Sequence, residues 1–331
     1  MAIQNRYEFL YYVSCINANP NGDPDMGNTP RIDPETRQGY ITDVATKRRI
    51  RNYVDMAYAG EDGMSIIIQQ ATNLNRHIAH AKREAGFEEC AKGKDAAYAG
   101  RRKACELFYD VRTFGAVMST GPNAGQVRGP VQITFGKSCD PILPLDISIT
   151  RMAVAGGPDN ATEEQYMEWE QAQEESSLRT MGRKQFIPFG LYEVRGFISA
   201  NLAAETGFDD HDLKVLFEAI LNMYEHDRSA SKGEMGVVSP LIIFRHVGTD
   251  SDAAQRARQA RLGCAPAHRL FNLVRVTKKP EVETPRSYRD YDALVALDKV
   301  PGGVQIGFQR DPFGEIVWDA LPADEDWLRN G

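Results

Sequence analysis

The chain has 331 residues, 42% of them hydrophobic and 26% charged, with a net charge of −7, enough for a substantial core but too acidic to coat nucleic acid by bulk electrostatics. Five widely spaced cysteines (Cys15, Cys90, Cys105, Cys139, Cys264) form no Cys-x-x-Cys pair and no histidine cluster accompanies them, which excludes the usual zinc motifs and fits a reducing cytoplasm. Neither a signal peptide nor an apolar run near the ~20 residues that span a bilayer is present, so a soluble protein without a membrane partner is expected.

Tyr7–Val13 alternates as an aromatic strand, and the Asn, Gly, Pro and Asp residues after it end the strand in turns. Thr42 or Asp43 can cap a helix from 43 to about 58, the start of a ferredoxin-like unit. Residues 60 to 110 read as a helical insertion broken at Gly86, Gly93 and Gly100. Thr113–Met118 and Val127–Phe135 flank the loop STGPNAGQ as an irregular hairpin. Ile147 and Ile149 suggest a strand leading into an acidic insertion, where Thr162 and Gln165 make a capping-box pattern and Tyr166 and Trp169 pair on a short helix. The basic SSLRTMGRKQFIP then enters a strand predicted to run to Leu202. Asp209 caps a helix with the stripe Leu213, Leu216, Phe217, Ile220 and Tyr224. Leu241–Val247 completes a core of strand, helix, strand, strand, helix, strand. Beyond 248, a helix near 267–276, a strand at 303–309 and an acidic end are expected. The fold class is α+β, and a single domain over 1–331 is favoured.

Val44, Lys47, Arg48 and Arg51 share one side of the first helix. Three cations beside the N–H groups of a loop and helix start suit a phosphate chain, and equally a solvated basic face. The charge is unevenly spread: Lys47, Arg48, Arg49 and Arg51 lie within five positions, whereas residues 152–178 hold seven acids and no Lys or Arg. Asp23, Asp25 and Asp33 permit either Asx turns or a metal-dependent nuclease. Glu225-His226-Asp227-Arg228-Ser229 follows the striped helix and suits a C-terminal cap; His226 beside Asp227 is not a triad without a nucleophile. Phe114, Met118 and Arg128 fall in the Gly-rich hairpin, and Met181, Arg183 and Lys184 at the basic end of the second insertion, a mixture that suits single-stranded nucleic acid. Apolar residues at hairpin bases are also ordinary core.

Four segments together carry a family likeness: NANPNGDPDMGNTPRIDPETRQGYITDVATKRRIRN (17–52), FGAVMST…RGPVQITFGKSCDPI (114–142), RTMGRKQFIPFGLYEVRGF (179–197) and LNMYEHDRSASKGEM (221–235). With them the chain closely resembles the backbone subunit of type I-C CRISPR surveillance complexes (Cascade). The resemblance implies a ferredoxin-like, RNA-recognition-motif-like antiparallel core. Its insertions would fall at about 60–112 (helical) and 150–188 (a thumb folding over the guide), with a C-terminal extension from about 248. It implies copies stacked head-to-tail along CRISPR RNA, pairing of guide with target DNA, contacts with other Cascade subunits, and no catalytic role, metal or cofactor. The RNA contacts expected are Asn19, Asn21, Arg31, Lys47, Arg48, Arg51, Phe114, Arg128, Met181 as the wedge, Arg183, Lys184, His226, Arg228 and Ser229. Related type III backbone subunits cut RNA with an early-loop aspartate, so a metal-dependent endoribonuclease using Asp23 and Asp25 is the alternative.

Overall fold

In the computed structural model, which describes residues 1–322 and Trp327, strand β1 (Tyr7–Ala18) leads through β2 (Gly22–Asp23), β3 (Thr29–Pro30) and β4 (Gln38–Ile41) into helix α1 (Asp43–Ala57). Helices α2 (Leu74–Glu84), α3 (Lys94–Leu107) and α4 (Tyr109–Phe114) follow, then strands β5 (Gly115–Met118), β6 (Gly125–Arg128), β7 (Val131–Ile133), β8 (Gly136–Pro141) and β9 (Leu145–Arg151). Helix α5 (Glu163–Gln171) precedes the long β10 (Thr180–Ile198), and α6 (Ala200–Thr206), α7 (Asp210–Asn222), β11 (Glu234–Val237) and β12 (Leu241–His246) come next. The last part holds α8 (Ala253–Leu262), α9 (Ala267–Phe271), β13 (Val274–Lys278), β14 (Tyr291–Val295), β15 (Val304–Gln309) and β16 (Val317–Trp318). The acidic end read from the sequence lies outside the described residues.

Helices and antiparallel strands mix in an α+β arrangement, with the main sheet ordered β16-β15-β12-β1-β10-β8-β4 and β7 also paired to β10. Within it β12, β1, β10 and β7 are neighbours in that order, and α1 and α7 pack into the same core on one face. β1 is buried along nearly its whole length because both faces are covered. Phe9, Tyr11, Val13 and Cys15 point into a core with Ile50, Tyr53 and Val54 of α1 and Leu216, Phe217 and Ile220 of α7. Leu10 and Tyr12 point the other way, against Leu270, Phe271, Val274, Tyr291 and Trp327. The segment after 248, hard to place from its sequence, is therefore the cover of the second face. A separate cluster of Ile67, Ile78, Ala81, Phe108 and Val111 holds the helical insertion together.

Caps are where the composition suggested: Thr42 accepts from Ala45 N, and Asp209 and Thr162 each complete a capping box. Gly100 does not break the insertion; it lies inside α3, where a Cβ would come 2.7 Å from Lys82 Cγ, so the glycine permits close packing of α2 on α3. Three boundaries differ from expectation. Thr113 and Phe114 finish helix α4 rather than starting a strand. The strand expected to reach Leu202 stops at Ile198, because Ser199 accepts from Leu202 N and caps α6. The helix expected at 267–276 ends at Phe271, and the β-branched Val274 and Val276 pair with β14.

The second insertion is a hairpin: β9 pairs with the first part of β10 from Thr180↔Arg151 to Phe186↔Leu145, with α5 at its tip.

Candidate nucleic-acid interface

The segment after β1 is a tied loop rather than a loose one. Asn19 donates from Nδ2 to Asn28 O (2.6 Å) and from its backbone to Ser231 O (2.7 Å). Asn21 Oδ1 accepts from Thr42 N (2.9 Å), fixing the loop to the start of α1. Arg31 pairs with Asp23 at 2.8 Å, and Asp23 also accepts from Asp25 N, the geometry of an Asx turn. Asp33 accepts from Glu35 N and Thr36 N, and these backbone bonds first of all hold its carboxyl below the usual range.

Arg49 binds this loop to the one after α7. Its Nη2 donates to Pro20 O (3.2 Å), its Nε lies 3.3 Å from Asp227 Oδ2, and the guanidinium stacks 5.0 Å from the Tyr224 ring. Lys232 also pairs with Asp227, and Lys184, at the base of the hairpin, donates to Ala230 O. Beneath lie Tyr11, Tyr192 and Cys15, fully buried. Burial pushes the Cys15 thiol up to about 12 and both hydroxyls well above their ordinary value. These groups stay neutral, and the guanidinium of Arg49, only 7% exposed, lies against them.

The structure thus brings Asn19, Asn21, Arg31, Lys184, His226, Arg228 and Ser229 to one end of the sheet, where Ala18 pairs with Ile187. Arg228 and Ser229 lie in the loop beyond Asn222, not at the helix terminus. Arg228, half exposed, donates to Glu225 (2.6 Å) and Met235 O (3.0 Å), and His226 is exposed with its ring 6.1 Å from that of Tyr53. Lys47 pairs with Asp43 at 3.0 Å, and Arg48 donates to Ile68 O.

Other expected contacts sit elsewhere. Arg51, partly buried, pairs with the buried Asp110 (2.7 Å), whose carboxylate also accepts from Ile67 N and Ile68 N, so this cation anchors the helical insertion to α1. The stripe of three free cations therefore does not exist as such. Phe114 is only 7% exposed, packed in the core under Lys47 and Arg51, which corrects its placement in an open hairpin. Met118 is likewise buried. Met181 (76% exposed) and Arg183 share one side of the hairpin, while Lys184 takes the other, as strand alternation requires. Arg128 lines a separate cleft with α3 and α6.

Arg49, Asp227 and Lys232 are the residues that sequence reasoning missed. A signal existed for Arg49: it shares a helix side with Tyr53, four residues on, and so belongs to the apolar face rather than the basic one.

Among solved structures, one named "CRISPR RNA-guided surveillance complex, pre-nicking" aligns with 89% of this chain and 94% of its own at 14% identity and TM-score 0.45. Another, "CRISPR RNA-guided surveillance complex", aligns with 89% and 93% at 12% identity and TM-score 0.39. A protein of Haloferax volcanii named "CRISPR-associated protein Cas7" is 40% identical over 70 residues, which is 21% of this chain and only 19% of that protein's length. The sequence profile described as "CRISPR-associated protein Cas7" matches residues 5–296, from the strand before the tied loop through the cover of the second sheet face, and the chain belongs to that family.

Proposed function

We propose that this protein is the repeated backbone subunit of a type I-C CRISPR effector complex, an RNA-recognition-motif-like core that binds CRISPR RNA along its length and supports pairing with target DNA. It acts in the cytoplasm, as one domain with insertions at about 60–112 and 150–188 and an extension from about 248. Its partners are the guide, the target strand, further copies of itself and other Cascade subunits. The observation that carries this reading is the convergence of the 19–31 loop, the start of α1, the 226–231 loop and the base of the hairpin at one end of the sheet. Backbone groups, amides and cations meet there, which suits a ligand read by its phosphates. Pairing by the guide then supplies sequence specificity.

Two single-stranded RNAs of equal length and unrelated sequence should bind with affinities within about twofold, measured by fluorescence anisotropy. Affinity should fall with salt at a log–log slope of ~0.7 per phosphate contacted. A strong preference for one sequence would overturn phosphate tracking.

The second reading, a metal-dependent ribonuclease, would use Asp23 and Asp25. The Asp23 carboxylate is engaged with Asp25 N and Arg31, which favours turn geometry, and asparagine keeps the Asx hydrogen bond. Asp23→Asn should therefore leave RNA affinity within about threefold, since a partly exposed pair contributes ~0–1 kcal/mol. We expect no Mg²⁺-dependent scission of guide or target RNA by the purified protein. Scission that disappears in Asp23→Asn or Asp25→Asn would promote the ribonuclease.

A further inference from the structure

A cleft of about 610 Å³ opens between α3, β6 and α6, within the size range of small-ligand sites. Arg101, Arg102 and Arg128 line it, and among the described residues none of their guanidinium groups has a carboxylate partner. In a chain of net charge −7, three arginines left unpaired around one hollow call for an anion. Two further features narrow its chemistry. The Tyr98 ring, also at the cleft, has Arg101 5.1 Å from its centroid yet stays 55% exposed, which leaves aromatic surface for a flat group. Thr206 at the cleft is only 7% exposed, and its hydroxyl has no hydrogen-bond partner among the described residues, a cost that a bound ligand would relieve.

The two acids of the cleft differ. Glu106 is bridged to Lys103 at 3.1 Å, whereas Glu205, exposed at the end of α6, has no cation partner among the described residues. A free carboxylate beside three cations repels inorganic phosphate and acidic peptides alike, but it accepts from sugar hydroxyls, as acids do in dinucleotide sites. Cations, an aromatic face and a carboxylate acceptor together match the three parts of a nucleotide. We propose that the cleft binds a ribonucleoside triphosphate, with its phosphates on the three arginines, its base on Tyr98 and its ribose hydroxyls on Glu205. The site is separate from the one proposed for the guide. That one lies where Ala18 pairs with Ile187, whereas α6 follows the opposite end, where Tyr7 pairs with Ile198. The 12 residues of β1 put roughly 40 Å between the two ends.

The test is calorimetric titration of ATP into the full-length protein loaded with guide-length RNA, so that its other basic surface is filled. One ATP per chain is expected, with AMP and inorganic triphosphate each at least tenfold weaker, because each lacks part of what the cleft recognises. Arg101→Ala with Arg102→Ala should weaken ATP at least tenfold, and Tyr98→Ala about tenfold through the lost stacking. Both variants should keep RNA affinity within twofold, which shows them folded and separates the two sites. The wild type should prefer ATP to dATP, and Glu205→Ala should remove that preference. The proposal is overturned if the RNA-loaded protein takes up no ATP at millimolar concentration. It is also overturned if AMP or inorganic triphosphate binds as tightly as ATP, which would leave a patch for anions at large. Single-stranded DNA that displaces ATP and itself binds tenfold more weakly to the double arginine variant would make the cleft a nucleic-acid surface instead. A protein that takes up ATP but no RNA would defeat the functional reading and leave this inference standing.

Discussion

Arg112→Ala should be the most destabilising single change considered, lowering stability by about 3–5 kcal/mol in a denaturant or thermal melt. Arg112 forms a buried two-point pair with Asp212 at 2.8 and 2.7 Å and also donates to Cys105 O (2.8 Å) and Gly63 O (3.1 Å). It thereby fastens α4 and the helical insertion to the start of α7. Truncation strands the Asp212 carboxylate, 4% exposed, together with two carbonyls. The unpaired charge dominates, so Arg112→Met combined with Asp212→Asn should lose less than Arg112→Ala alone. A loss under about 1 kcal/mol for Arg112→Ala, or a double variant worse than the single, would contradict this.

Arg49→Met should behave differently. Asp227 keeps Lys232 as a partner, so no charge is orphaned, and the stability loss should stay near 1–2 kcal/mol. Binding should suffer more, because the guanidinium is what links Pro20 O in one loop to Asp227 in the other. Guide-length RNA should bind at least tenfold more weakly whatever its sequence. Arg49→Lys should not recover this, since one ammonium lacks the fork that reaches both groups. Unchanged affinity in Arg49→Met, with the protein folded, would remove the clamp from the description of the site.

The fold was legible where local chemistry decides it. Thr42, Thr162 and Asp209 announce helix starts by their own side chains, and the stripe from Leu213 to Tyr224 marks α7. α6 was hidden because its apolar residues continue the alternation of β10, and only the Ser199 cap separates them. The second face of the sheet had a sign, the unbroken apolar run of β1, but nothing local names the segment that covers it. The site was legible as a region and less so as a set of residues. Lys47, Arg49 and Arg51 look alike in a basic run, yet their partners are Asp43, Asp227 and Asp110. The last two lie far along the chain, and spacing within a helix carries no information about them.

The central claim, that this subunit tracks a guide by its backbone in repeated copies, is tested most directly by ribonuclease footprinting of the RNA that co-purifies with the complex from its native operon. The reading predicts repeat-derived guides protected at regular intervals whatever the spacer sequence, with the protection weakened uniformly by Arg49→Met. Protein that emerges free of RNA, or RNA protected at one sequence-defined place, would contradict it.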